Sequence, residues 1–404
     1  MKKLNYALLF LLVAMCYTPM LATDTIRVKQ TKIPILIERE DNVLFYFRID
    51  ASESEMLNEL KFKLSDDTNL DEIEALKLYY SGTESVQRGD NIYFAPVGYI
   101  SSHSPGNTLK ANPSYSIKVV EQRKPSTNVT FSPNYKLFPG INYFWISLQM
   151  KPSASVLSKV DIELLSAQLD HKNAPLLFDT NRAPHRMGVG VRHAGDDGSA
   201  AFRIPGLATS NEGTLLAVYD VRYNSSVDLQ EHIDVGLSRS TDKGKTWEKM
   251  VIPMTFGEDG GMPKAQNGVG DPAILVDTKT GAIWTIAAWT HGMGNHRAWH
   301  NSQDGMTKER TAQLVLSKST DDGKTWSEPI NITEQVKDPS WKFLLQGPGR
   351  GITMLDGTLV FPIQYIDSTR IPNAGIMYSK DRGETWHIHN HARTNTTEAQ
   401  VAEV

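Results

Sequence analysis

The residues with the clearest chemical potential begin at positions 202–205, Phe-Arg-Ile-Pro. Arg203 stands two residues before a proline, which forces the backbone out of regular strand pairing. The planar guanidinium of an arginine on such a kink can point into a cavity and hold a carboxylate through two parallel hydrogen bonds. Taken alone, an arginine in so short a phrase is more often a surface side chain.

Carboxylates that could act as a general acid or base follow Arg203 closely in the chain. The alternatives are Asp220, Asp228, Glu231 and Asp234. Asp228 lies in a predicted loop, where a mobile acid can reach a leaving group. Asp234 leads into an apolar run and reads as a strand residue with a structural role. From these residues alone the choice among the four carboxylates stays open.

A repeated phrase indicates the fold that must position these groups. The pattern S-x-D-x-G-x-T-W starts at Ser240, at Ser319 and again at Ser379. Its Asp can bond the backbone of its own turn, its Gly supplies a positive φ, and its Trp anchors the hairpin. Such repeats with variable spacers are typical of solenoids and propellers, and they predict structure without chemistry.

The chain has two regions with different sequence patterns, and the second contains these repeats. Residues 23–180 hold alternating apolar and polar runs, at 42–50, 116–120 and 141–148, that predict a β-sandwich. Residues 181–404 hold tight hairpins, at 273–286 and 352–361, that predict propeller blades. We predict an all-β protein in which a β-sandwich precedes a six-bladed β-propeller. The propeller is incomplete in this chain, with three to four blades and a further strand opening at 398–404.

The first residues and the charge bear on location and partners. Residues 1–22 combine a basic start, a short apolar run and a small-residue exit, as in a signal peptide too short to span a membrane. We expect export to the periplasm, the cell surface or the medium. Lipidation at Cys16, the chain's one cysteine, is an alternative to ordinary export. The formal net charge of −4 gives no basic footprint for nucleic acid.

In combination, Phe-Arg-Ile-Pro and the three repeats closely resemble the bacterial exo-α-sialidases (neuraminidases) of glycoside hydrolase family 33. The resemblance covers about residues 188–404. The region before it resembles, less specifically, the β-sandwich found in some of these enzymes. The resemblance implies hydrolysis of terminal sialic acids from glycans, glycoproteins and gangliosides. It implies no cofactor and no catalytic metal, and we expect a monomer.

The resemblance also implies roles for individual residues. Arg203 matches the first arginine of the triad that grips the sialic acid carboxylate, and Asp228 matches the acid/base aspartate. Arg222 and Asp271 resemble residues that approach the 4-hydroxyl of the sugar, with a buried ion pair or a turn cap as alternatives. Gln346 begins a Gly- and Pro-rich segment that resembles a loop at the pocket rim, although such a loop is usually only a turn.

Glu398 matches the glutamate that polarises the family's nucleophilic tyrosine, whereas Glu403 reads as a strand-edge charge. In the family the tyrosine and two further arginines come later in sequence, so their counterparts would fall beyond Val404. The resemblance implies retention of configuration. A trans-sialidase and a non-catalytic glycan-binding propeller are the alternative functions.

Aromatic residues of the first region could stack on sugars or belong to a core. The candidates are Tyr79, Tyr80, Tyr93 and Trp145. In a β-sandwich such residues are more often core, and that is our prediction. The region is then either a glycan-binding module or a structural spacer.

Overall fold

A computed structural model describes residues 25–83, 87–88, 91–92, 116–178, 181–294 and 297–404. The chain divides into two compact units, and the division falls between Val189 and Gly190. The predicted signal peptide, Cys16 and Tyr93 lie outside the described residues, so export and lipidation stay predictions. Within the described residues there is no helix long and apolar enough to cross a membrane.

The first unit is built from strands with a single-turn 3₁₀ helix at Leu70–Glu72. The strands are β1 (Thr25–Gln30), β2 (Ile35–Leu36), β3 (Asn42–Ala51), β4 (Met56–Leu64), β5 (Ile73–Tyr80), β6 (Gln87–Arg88), β7 (Asn91–Ile92), β8 (Ile117–Arg123), β9 (Asn128–Phe131), β10 (Tyr135–Lys136), β11 (Gly140–Met150), β12 (Lys159–Val160), β13 (Ile162–Leu169), β14 (Lys172–Asn173), β15 (Leu176–Phe178) and β16 (His185–Gly188).

These strands form the predicted sandwich. One sheet has the order β15-β1-β3-β11-β5-β8, and a second has the order β10-β4-β13-β14 with β9 beside β4. Along β3, Phe47 and Ile49 are buried while Arg48 and Asp50 lie partly exposed, which is the period-2 alternation of a strand with one face on a core. A single hydrophobic core joins β3 and β11 to Phe62 of β4.

Of the aromatic side chains of the first unit that could have stacked on sugars, the three that the structure describes are packed against other residues of that unit. Tyr79 and Trp145 stack with ring centroids 4.2 Å apart, and Trp145 is fully buried. Tyr80 is also buried and packs against Phe144. The prediction that these aromatics are core is confirmed for the three that the structure describes.

The second unit carries the repeats. Its strands are β17 (Ala201–Thr209), β18 (Leu215–Arg222), β19 (Ile233–Ser240), β20 (Val251–Met254), β21 (Val269–Val276), β22 (Ile283–Trp289), β23 (Gln313–Ser319), β24 (Ile330–Asn331), β25 (Phe343–Gln346), β26 (Gly349–Arg350), β27 (Ile352–Thr353), β28 (Leu359–Ile366), β29 (Pro372–Ser379) and β30 (His387–Thr394). Its short helices are Asp196–Gly198, Asp259–Gly261, Lys264–Gln266, Ala298–Asn301 and Thr333–Val336.

These strands form three consecutive antiparallel blades. The first has the order β17-β18-β19-β20, and the second has β21-β22-β23-β24 with β26 added beside β21. In the third, β28 pairs with both β25 and β27, followed by β29 and β30. The predicted all-β fold with propeller blades after a sandwich is confirmed.

One predicted element is wrong. Residues 398–404 form no strand, although we expected another strand to open there. Glu398 has φ +54°, and its backbone amide donates to the side chain of Gln364 instead of to a strand partner. The side-chain amide of Gln400 donates to the carbonyl of Pro348. This segment is held by side chains, so it does not adopt strand pairing.

Each repeated phrase closes the turn after the third strand of its blade. In the second blade, Asp321 accepts from the backbone amide of Thr325 at 2.9 Å and from its hydroxyl at 2.6 Å, and Ser319 donates to the same carboxylate. In the third blade, the hydrogen bond from the Thr385 hydroxyl lowers the pKa of Asp381 to about 2. The phrase is therefore a turn staple, as predicted.

The tryptophans of the phrase differ in burial. Trp386 is 1% exposed and packs in the core shared by the second and third blades, whereas Trp247 and Trp326 are half-buried. We expect Trp386→Ala to cost about 3–5 kcal/mol of stability, because a large cavity remains. Trp247→Ala should cost distinctly less. Calorimetric unfolding of both variants measures the difference, and equal losses would show that Trp386 does not anchor the blades.

Candidate active site

The inner strands of the first two blades are interrupted at the same place. In β17 the pairing with β18 shifts between Arg203 and Gly206, and in β21 the pairing with β22 shifts between Gly270 and Ala273. A proline stands in each interruption, because it lacks the N–H that a strand ladder requires. The interruptions lie at Ile204-Pro205 and Asp271-Pro272.

The backbone at these interruptions is strained. Ile204 has φ +54° and Asp271 has φ +56°, in the left-handed region that non-glycine residues rarely adopt. For a β-branched residue such as Ile204 this conformation is a genuine outlier, and such outliers cluster at binding and catalytic sites. The kink turns Arg203 and Asp271 into one cavity.

This cavity has a volume of about 290 Å³ and is lined by residues from all three blades. Its charged groups are Arg203, Asp228, Asp271, Arg297 and Glu398. The remaining wall is formed by Ile204, Leu229, Ala298, Trp299, His300, Phe343, Leu345, Pro348, Gln364 and Thr397. The structure thus brings together four residues that the sequence predicted for the site.

Asp228 is held by two arginines that share its Oδ1. Arg203 Nη1 donates to this oxygen at 2.8 Å and Arg222 Nη1 donates to it at 2.9 Å. The same two nitrogens also donate to the carbonyl of Ser226. Burial by itself would raise the pKa of Asp228, but the hydrogen bond and charge of Arg222 outweigh it, with help from Arg203 and Arg297. The pKa of Asp228 is therefore below its usual value.

Asp228 is also the only one of the four alternative acids that lines the described cavity. Asp220 is fully buried, Asp234 is buried within β19, and Glu231 bonds the side chain of Asn224. Glu403 lies apart, where it accepts from the backbone amide of Leu355. Asp228 lies in a loop between strands, as predicted, and this loop reaches the cavity.

Arg222 forms a buried ion pair, which was the structural alternative to contact with the 4-hydroxyl of the sugar. Its side chain is 1% exposed, and its Nε and Nη2 donate to Asp220 Oδ2 at 3.0 and 2.7 Å. It lies behind Asp228 and outside the cavity lining, so its contact with a substrate stays a prediction. Its visible role is to fix the position of Asp228.

Asp271 lies against the same buried pair. Its backbone amide donates to Asp220 Oδ1 at 2.8 Å. Burial and the charge of Asp220 raise the pKa of Asp271 to about 7, against the attraction of Arg222. Asp271 can therefore carry a proton near neutral pH and present an O–H donor to the cavity.

Gln346 does not reach the cavity surface. It is fully buried at the end of β25, and neither side-chain amide atom has a partner among the described residues. Gln364 lines the wall instead, donating to the carbonyl of Gln346 and accepting from the amide of Glu398. Substrate binding by Gln346 stays a prediction.

One wall of the cavity was not predicted from the sequence, the part formed by Arg297, Trp299 and His300. They precede or belong to the one-turn helix Ala298–Asn301, which lies between β22 and β23. A short polar loop with one tryptophan carries no pattern that separates it from any other surface loop. In the part of the chain that the structure describes, no group of three or more His, Cys, Asp or Glu is arranged to hold a metal ion.

The raised pKa of Asp271 gives a prediction about stability. Its folded-state pKa of about 7 lies above the unfolded value of about 3.9, so the folded state binds more protons between these pH values. Stability contributed by this site therefore falls as pH rises from about 4 to 7. Asp271→Asn removes this loss, and asparagine tolerates the positive φ.

We expect Asp271→Asn to raise the melting temperature by a few degrees at pH 8, with a smaller difference at pH 5. Thermal unfolding of the wild type and the variant at both pH values measures this. A variant less stable than the wild type at pH 8 would show that the carboxylate is ionised and held favourably.

Comparison with known proteins agrees with this architecture. A family model described as the N-terminal domain of BNR-repeat neuraminidase matches residues 23–173, and a BNR repeat-like domain model matches residues 204–403. A sialidase of Bacteroides fragilis is 69% identical over 392 residues, which cover 96% of this chain and 72% of that relative. A sialidase of Clostridium perfringens is 35% identical over 217 residues, which cover 51% of this chain and 53% of the relative.

Among solved structures, a Hadza microbial sialidase, Hz136, is 57% identical and superposes with a TM-score of 0.82. The match covers 94% of this chain and 73% of that chain. The chain thus spans about three quarters of these two larger relatives and about half of the clostridial one. The matches to the Bacteroides fragilis sialidase and to Hz136 cover nearly all of this chain, and the chain belongs to the sialidase family of glycoside hydrolases, the BNR-repeat neuraminidases.

Proposed function

We propose that the protein is an exo-α-sialidase that hydrolyses terminal sialic acids from glycoconjugates with retention of configuration. The observation that carries this proposal is the meeting of Arg203, Asp228 and Glu398 at one cavity. Membership of the sialidase family supports the same reaction class. Sialylated glycans, glycoproteins and gangliosides are the substrates that the proposal implies.

Arg203 supplies the anion-binding group. Its side chain is 43% exposed, so part of the guanidinium remains open to the cavity although Nη1 bonds Asp228. A guanidinium matches a carboxylate in a bidentate arrangement, and sialic acid carries its carboxylate on the anomeric carbon. This contact orients the anomeric carbon toward the centre of the cavity.

The substrate carboxylate also determines the kind of nucleophile. A carboxylate nucleophile would meet like-charge repulsion there, whereas a neutral tyrosine would not, so we propose a tyrosine nucleophile. A phenol with a pKa near 10 needs a base, and we propose Glu398 for that role. No tyrosine lines the cavity among the described residues, and we propose that one from outside this sequence completes it.

The proposed reaction has two balanced steps. In the first, the tyrosine oxygen bonds the anomeric carbon as Glu398 takes the phenol proton, and Asp228 gives a proton to the departing glycosidic oxygen. In the second, Asp228 takes a proton from water and the water oxygen bonds the anomeric carbon as the bond from that carbon to the tyrosine oxygen breaks, and the freed phenolate recovers its proton from Glu398. Two inversions at one carbon give overall retention.

Asp228 must be protonated to act as the acid, and the unliganded cavity holds its pKa low. The charge of Arg203 contributes to that lowering. A substrate carboxylate at Arg203 would draw the guanidinium away from Asp228 and cancel part of its charge. Substrate binding would then raise the pKa of Asp228 and let it take up the proton that the leaving group requires.

Asp228→Ala tests the acid role. We expect a far larger loss of kcat/KM on natural sialosides than on aryl sialosides, because a good leaving group needs little protonation. The matched control is Glu231→Ala, a carboxylate of the same loop that does not line the cavity. Steady-state kinetics of the complete protein on both substrate types measures this. Equal losses on the two substrates would remove Asp228 from the acid role.

Arg203→Lys tests carboxylate binding. A lysine keeps the charge but loses the planar fork, so kcat/KM should fall at least about tenfold. Arg186→Lys, on an exposed position of β16, is the control and should leave kcat/KM unchanged. Wild-type kinetics in the Arg203 variant would show that this side chain does not hold the substrate.

A further inference from the structure

The cavity contains a second cationic side chain, Arg297, that has no role in the proposed mechanism. Arg297 lines the cavity immediately before the one-turn helix Ala298–Asn301. Its side chain is 66% exposed and makes no hydrogen bond to any described residue. Its nearest charged neighbour is Asp228, whose Oδ2 lies 3.8 Å from Arg297 Nη1.

The two oxygens of Asp228 face different partners. Oδ1 accepts from Arg203 and Arg222, so it is already saturated with donors. Oδ2 is therefore the oxygen available to carry the catalytic proton. The glycosidic oxygen must approach Oδ2, which places the departing sugar beside Arg297 and away from Arg203.

The backbone next to Arg297 is held by contacts of the helix that follows it. The backbone amide of Ala298 donates to the carbonyl of Leu229, next to Asp228, at 2.7 Å. Trp299 packs edge-to-face on Phe343 with ring centroids 6.1 Å apart. The backbone that carries the Arg297 guanidinium is thus anchored to the Asp228 loop and to the third blade.

In the unliganded cavity, the positive charge of Arg297 disfavours protonation of Asp228. The charge of Arg297 helps to lower the pKa of Asp228, which disfavours the protonated form that the first step needs. Asp220 is buried on the far side of Arg222, Asp271 lines the same cavity, and Arg203 and Arg222 face the other oxygen of Asp228. A neutral departing sugar would leave the charge of Arg297 uncompensated, whereas an anionic group on that sugar would pair with it.

We propose that Arg297 is a specificity-determining residue that favours sialosides whose penultimate sugar carries an anionic group. The inference rests on the proposed sialidase function and adds the class of departing sugar to it. The shared chemistry is a single negative charge near the glycosidic oxygen. Its source is either the carboxylate of a second sialic acid or a sulfate ester on a neutral sugar.

The test compares kcat/KM of the complete protein on three substrates. These are sialyllactose, an α2,8-linked disialic acid and a 6-sulfated sialyl-lactosamine. We expect Arg297→Gln to lower the ratio of anionic to neutral substrate by about threefold to fivefold, as for an exposed ion pair. Arg297→Lys should keep most of the ratio, and high salt should reduce it in the wild type.

The control is Arg310→Gln, because Arg310 is 62% exposed, similar to Arg297, and lies outside the cavity lining. Its ratio should match that of the wild type. A fall in the ratio for only one anionic substrate supports the proposal and identifies the source of the charge. An unchanged ratio in Arg297→Gln, with hydrolysis of all substrates intact, overturns the inference and leaves the proposed function standing. Absence of hydrolysis of every sialoside by the wild type overturns both.

Discussion

Near the cavity, backbone segments of different blades approach so closely at two glycines that no side chain could fit between them. A Cβ on Gly206 would overlap the carbonyl oxygen of Gly349, and one on Gly347 would overlap that of Ala399. Glycine is the residue that permits such contact between two backbones. Gly206 directly follows the kink at Ile204-Pro205, so the close approach and the kink occur at the same place in β17. The side chains at the kinks of Ile204 and Asp271 border the cavity, so the site depends on the course of the backbone.

The same packing concentrates charge at a cost. Asp220 and Asp271 lie close together, and the Arg222 guanidinium is buried between Asp220 and Asp228. A buried ion pair seldom adds net stability, because the loss of hydration offsets the attraction. Its contribution here is positional: Arg222 orients Asp228 from behind while the opposite oxygen remains available. The left-handed conformation of Ile204 adds strain to this local cost, and the cores between blades must compensate for it.

The parts of this structure that the sequence could predict are those with local signals. A turn depends on a few adjacent residues, so the phrase ending at Trp386 predicted its hairpin. In the same way, the alternation of apolar and polar residues in β3 predicted a strand. Arg203 could be predicted as a site residue because a proline marks its kink. The places of Gln346 and Arg297 could not be predicted, because the direction of a side chain near a cavity depends on partners far away in sequence. The expected strand at 398–404 failed for a similar reason, since Gln364 and Pro348 bind that segment from another strand and loop.

The residue after the aspartate of the repeated phrase varies, and in the second and third blades it reaches back to the preceding blade. Asp322 accepts from Arg239 of the first blade at 2.8 Å, whereas Arg382 donates to Asp277 of the second blade at 3.1 Å. The two junctions thus use opposite polarity. The variable position of the phrase thus ties each hairpin to the blade before it, whereas the constant positions hold the hairpin itself. A turn signal that looks purely local therefore also joins neighbouring blades.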